Sequence, residues 1–92
     1  MIVSFRHKGL KQLFERGNRR GVNPQHVAKI ENILGVLDIA QKIEDVDVHS
    51  FRLHPLTGDL KGFWSVTVRA NWRVVFRFEN GNVFEVDLLD YH

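Results

Sequence analysis

No cysteine occurs among the 92 residues. Disulfides and thiolate metal sites are therefore excluded, a usage consistent with a reducing compartment. Only 2 prolines are present, and the chain has no repeat, low-complexity tract or linker. No apolar run approaches the ~20 residues needed to span a membrane. The opening stretch "MIVSFRHKGL" lacks the apolar core of a secretion signal. These absences give the expectation of a cytoplasmic protein with no membrane contact.

What remains is a composition suited to one small globule. Apolar residues make up 43% and charged residues 26%, enough for a single core with a solvated surface. The expected organisation is one domain over residues 1–92. The net charge is only +2, but the charges are segregated. Basic residues gather in "RHKGLK", "RGNRR" and "RANWRVVFR", and acids in "IEDVD" and near the C-terminus. Such segregation points to one positive face able to meet phosphate.

Local patterns give the elements. "IVSF" reads as a short first strand. Leu10, Leu13 and Phe14 have helical spacing, and Gly17 is a helix stop. Asn23 and Pro24 are the cap and first residue of a second helix. Its apolar stripe is Val27, Ile30, Ile33, Leu34 and Leu37, running to about Ala40. Residues 51–53 form a candidate short strand, broken into turns by Pro55 and Gly58-Asp59. Three longer strands are expected over residues 63–68, 72–78 and 83–89.

Alternation fixes the faces of this antiparallel sheet. Trp64, Val66 and Val68, then Trp72, Val74 and Phe76, then Phe84, Val86 and Leu88 form an apolar face, which the helices must cover. Both tryptophans are therefore expected in the core. A two-residue Asn80-Gly81 loop would set Phe76 against Glu85. A three-residue loop instead pairs Phe76 with Phe84, Val74 with Val86 and Arg73 with Asp87. The same reasoning expects a three-residue turn at Arg69, Ala70 and Asn71. The opposite face carries Arg73, Arg77, Glu85 and Asp87. It is either a nucleic-acid surface or a solvent face laced with ion pairs.

Antiparallel neighbours bring several chemistry-bearing residues to one end of the sheet. His54 stands in "RLHPL", and Lys61 precedes the first long strand. Arg69 and Arg73 flank the first turn, and Asp90, Tyr91 and His92 follow the last strand.

The order "LHPL-TGD-…GFWSVTVRANWRVVF…DYH" resembles the HigB branch of the RelE/ParE superfamily of bacterial type II toxins (the plasmid maintenance killer family). The likeness covers essentially the whole chain. It implies an α+β, RelE-like fold, with two N-terminal helices packed on one face of a small, mostly antiparallel twisted sheet of four to five strands. It also implies a ribosome-dependent mRNA endoribonuclease that cuts in the decoding site with neither metal nor cofactor. The implied partners are mRNA and rRNA at the A site and a helix-turn-helix antitoxin, with operator DNA met only through that antitoxin. An alternative keeps the fold, the antitoxin contact and a role in transcription while the nuclease is weak or lost. His54, Arg73, Asp90, Tyr91 and His92 match the family's functional positions. Thr57 departs from the lysine often present in the "HPLKG" motif of relatives.

The residue types suit the implied chemistry. RNA supplies its own nucleophile, the 2′-OH. Cleavage then needs a base, a cation at the phosphorane and an acid for the 5′-oxygen, which leaves a cyclic phosphate. His92 is the expected main proton-transfer group and His54 the second. Arg73 offers a fork of donors to phosphate. Tyr91 stacks on a base or orients the phosphate, and Asp90 fixes a histidine tautomer. Lys61, Arg69 and Arg77 are the further phosphate-binding candidates.

Overall fold

The computed structural model describes residues 1–90. Tyr91 and His92, both expected in the site, lie outside the described residues.

The helices begin and end on side chains suited to the task. The first, α1, spans Lys8–Arg16. His7 caps it by accepting the Leu10 amide on Nδ1 at 3.0 Å, satisfying one of the orphan donors of the first turn. Gly17 takes φ 66° at the other end. Its amide and that of Asn18 reach back to the carbonyls of Leu13 and Gln12 at 3.0 and 3.2 Å, a paired closure that a left-handed residue allows. Asn23 Oδ1 accepts the Gln25 amide at 2.9 Å. A 3₁₀ turn, Pro24–His26, then leads into the second helix, α2, Val27–Ile39. All five residues of the expected stripe are buried.

Four strands follow: β1, His54–Pro55; β2, Trp64–Arg69; β3, Trp72–Glu79; and β4, Asn82–Asp90. They pair antiparallel in the order β1-β2-β3-β4. The N-terminal segment runs parallel to β4 through bridges from Ile2 to Val83 and from Phe5 to Val86, so the "IVSF" strand is a fifth, interrupted edge. Between α2 and β1 the chain forms 3₁₀ turns at Ile43–Val46 and His49–Phe51. Residues 51–53 are therefore not the short strand; that strand begins at His54. Phe51 is fully buried and acts as an anchor ahead of it.

The helical layer covers one sheet face. Leu10, Leu13, the α2 stripe, Val46 and Phe51 pack on Val66, Val74, Phe76, Val83 and Val86. Trp64 is partly buried against this core. Trp72 is not a core residue: it remains 36% exposed at the sheet's end, with its ring 6.0 Å from that of His26.

The registers differ from those expected, for an instructive reason. Asn80-Gly81 is a two-residue turn with both φ values positive, 51° and 79°, and it pairs Glu79 with Asn82 and Phe78 with Val83. That is the Asn-Gly geometry whose twist matches the flanking strands. Continued regularly, it would leave Phe76 facing Glu85. A β-bulge intervenes between the Arg77–Phe84 and Val75–Asp87 pairs, so Glu85 and Val86 together oppose Phe76. Glu85 takes the strained φ of 56°, and the apolar face resumes with Val86. Val74 consequently pairs with Leu88, not Val86, and Arg73 with Leu89, not Asp87. The bulge frees the Glu85 amide, and Ser4 Oγ accepts it at 2.9 Å. The first β-turn is also two residues long, because Arg69 pairs with Trp72. Its left-handed residue is Ala70, at φ 51°.

Glu85 is held on the open face by two arginines, with Arg77 and Arg6 each at 3.0 Å. The hydrogen bond from Arg77, followed by that from Arg6, keeps its carboxyl below the ordinary value of 4.5, against an opposing push from burial. A depressed carboxylate stabilises the fold above its unfolded pKa and loses that contribution as pH falls through the folded value. Thermal unfolding of Glu85→Gln should therefore lie below that of the parent at neutral pH, with the gap closing as the pH drops below 4.5. A gap that persists or widens in acid would refute this.

Candidate active site

The uncovered sheet face carries a groove of about 440 Å³. Cross-strand register builds its floor. His54 pairs with Ser65, Ser65 with Val75 and Val75 with Asp87, and paired residues share a face. The next row sets Thr67 against Arg73 and Arg73 against Leu89. Ser65 is 5% exposed and Val75 1%, so the floor is well packed although it lies opposite the helices.

β1 forms one wall. Pro55, which lacks an amide donor, suits this edge strand. The Leu56 amide then bonds the Phe63 carbonyl at 2.9 Å. Arg52, His54, Pro55, Leu56 and Thr57 line the groove on this side, with Ser65, Thr67 and Arg73 across from them. His54 is exposed and thus open to solvent and ligand.

Arg73 is held at the opposite side. Its Nη1 donates to the carbonyl of Ala70 and, at 3.2 Å, to that of Trp72. These bonds fix the guanidinium beside the β2–β3 turn while leaving other donors of the fork for a ligand. The last described residue of β4, Asp90, pairs with Trp72 and shares its face. The groove brings His54 and Arg73 together, and Asp90 is not among its lining residues.

The remaining candidates divide. Arg69 is at the same end of the sheet, but its Nη1 turns toward Gln25 Oε1, at 3.4 Å. Arg77 is occupied by Glu85. Lys61 follows the 3₁₀ turn Gly58–Leu60 and is exposed; it does not line the groove, whereas Thr57 does. The sequence reading missed Arg52, Ser65 and Thr67. Strand parity could have found the last two, since they alternate with Trp64, Val66 and Val68. Among the described residues no cluster of three or more His, Cys, Asp or Glu could hold a metal ion, and no helix is long and apolar enough to cross a membrane.

Known proteins resemble this chain over most or all of its length. The family model for the RelE-like toxin of type II toxin–antitoxin system HigB matches residues 3–92. Endoribonuclease HigB of Proteus vulgaris is 49% identical over 92 residues, covering 100% of both chains. Toxin HigB-1 of Vibrio cholerae serotype O1 is 33% identical over 86 residues, covering 88% of this chain and 87% of that protein. Among solved structures, a YoeB/ParE toxin from Agrobacterium tumefaciens superposes with a TM-score of 0.59 at 18% identity, over 96% of each chain. That likeness concerns the fold: helices on one face of a small antiparallel sheet. With the family matched from residue 3 to the last position, this chain belongs to the HigB-like, RelE-type toxins of type II toxin–antitoxin systems.

Proposed function

We propose that this toxin is an endoribonuclease, as its Proteus relative is named, and that it cuts mRNA in the ribosomal decoding site by attack of the RNA's own 2′-OH, without a metal. The observation that carries this reading is the groove itself. It brings the imidazole of His54 and the guanidinium of Arg73 to one open face, and β4 ends at Asp90, opposite Trp72, the chain neighbour of Arg73.

The chemistry follows from those groups. Arg73 neutralises the phosphorane's developing charge with the donors that its turn carbonyls leave over. A histidine removes the 2′-OH proton and another protonates the departing 5′-oxygen. We assign the larger share of proton transfer to His92 and the smaller to His54. Asp90 fixes the tautomer of a histidine, and Tyr91 stacks on or aligns the RNA. Arg69 is a secondary phosphate contact. An open, shallow groove orients a flexible strand poorly on its own, which accounts for the need of a ribosome to present the mRNA. A helix-turn-helix antitoxin is the expected inhibitor, bringing the toxin to operator DNA indirectly.

Mapping mRNA 5′ ends on translating ribosomes, with and without the toxin, tests the reading. Cuts confined to A-site codons are expected. His92→Ala should lower the single-turnover rate by about 10²-fold or more, within the range for a lost general acid or base, and His54→Ala by less. An unchanged rate in the His92 variant would end that assignment.

A further inference from the structure

We propose that Arg52 is a second phosphate-binding residue of the groove, holding the phosphodiester next to the one that is cut. This rests on the endoribonuclease reading above and extends it to a residue which that reading leaves without a role.

The geometry is specific. Arg52 closes the 3₁₀ turn His49–Phe51 two residues ahead of His54, which pairs with Ser65. Thr67 pairs with Arg73. Arg52, Thr67 and Arg73 all line the groove. Two arginines lining one groove, Arg73 from β3 and Arg52 from the turn ahead of β1, can bracket a stretch of RNA backbone rather than one oxygen. Arg73 is tied to turn carbonyls, whereas the guanidinium of Arg52 makes no hydrogen bond or ion pair among the described residues.

The backbone adds an independent observation. Arg52 has φ 51° and ψ 53°, the left-handed region where a side chain costs about 1 kcal/mol and glycine costs nothing. The conformation is imposed from both sides. Phe51 is fully buried, and His54 is locked into β1. A site that needed only the turn would be served better by glycine. An arginine kept in a strained position, with its charge unpaired and facing the groove, is the pattern of a residue retained for ligand contact.

The experiment compares Arg52→Gly, Arg52→Gln and Arg52→Lys in single-turnover cleavage on programmed ribosomes, with thermal unfolding measured alongside. Arg52→Gly should unfold at the same temperature as the parent or higher, yet cut about 10-fold or more slowly at saturating toxin, since positioning is lost. Arg52→Gln, which keeps the strain and loses the charge, should cut as slowly as the glycine variant. Arg52→Lys should recover part of the rate. A merely structural role predicts that rate and unfolding temperature fall together, and parental rates in both the Gly and Gln variants would overturn the assignment. Cleavage absent from the unsubstituted protein overturns the endoribonuclease reading, and this inference with it.

Discussion

Replacing Arg73 with alanine is expected to lower mRNA cleavage by about 10²–10³-fold, the size of effect seen when a preorganised donor to a transition-state oxyanion is removed. Growth arrest on expression should disappear with it. The effect is expected to be chemical rather than structural. The bonds from Arg73 to the Ala70 and Trp72 carbonyls are solvent-exposed, so their loss costs about 1 kcal/mol or less. Arg73→Lys should recover little, because an ammonium keeps the charge but not the planar fork that grips two oxygens at once. The decisive comparison is cleavage rate against unfolding temperature for both variants. Wild-type cleavage by a well-folded Arg73→Ala protein would remove the guanidinium from the mechanism.

Phe51→Ala should be the most destabilising substitution in the segment leading to the groove. Phe51 is fully buried and packs with α2 and β2 residues in the main core, and Lys29 Nζ stands 5.4 Å from its ring centre. Large-to-small changes at such sites cost about 3–5 kcal/mol, a substantial part of the 5–15 kcal/mol that holds a typical domain together. For a domain this small, that corresponds to a fall in Tm of at least about 12 °C. Phe51→Leu, which refills most of the volume, should fall much less. A drop of only a few degrees for alanine would show that Phe51 is not the anchor proposed for the Arg52–His54 wall. Because the ring fixes the residues on which Arg52 and His54 are mounted, the alanine variant should also lose activity at temperatures where it is still folded.

Legibility in the sequence tracked the range of the interactions. The α2 stripe and its Asn23-Pro24 start were readable because helical periodicity and capping are local, and each of the five stripe residues is buried. The three long strands and their two unlike faces were readable for the same reason. The register of β4 was not. Its bulge depends on Ser4, far away in sequence, accepting the amide that Glu85 leaves unpaired. Trp72 had the right parity for the core, but it lies at the sheet's end, where His26 covers only part of it. The approach of His54 to Arg73 followed from antiparallel order, whereas Asp90 pairs with Trp72 and does not line the groove. Arg52 was hidden because residues 51–53 looked like a strand, whereas tertiary anchoring of Phe51 forces a left-handed turn there.

The bulge at Glu85 also constrains how this hairpin can change length over evolutionary time. One residue added at Asn80-Gly81 would invert the facing of everything beyond it, and so would one residue removed at Glu85. Either event alone would turn Val86 and Leu88 out of the core and bring Asp87 and Leu89 to the helical side. Together they cancel. Insertions at the tip and deletions in the strand should therefore be inherited as a pair, and an alignment of relatives that opens a single gap in this hairpin has misplaced the residues of β4 beyond Glu85.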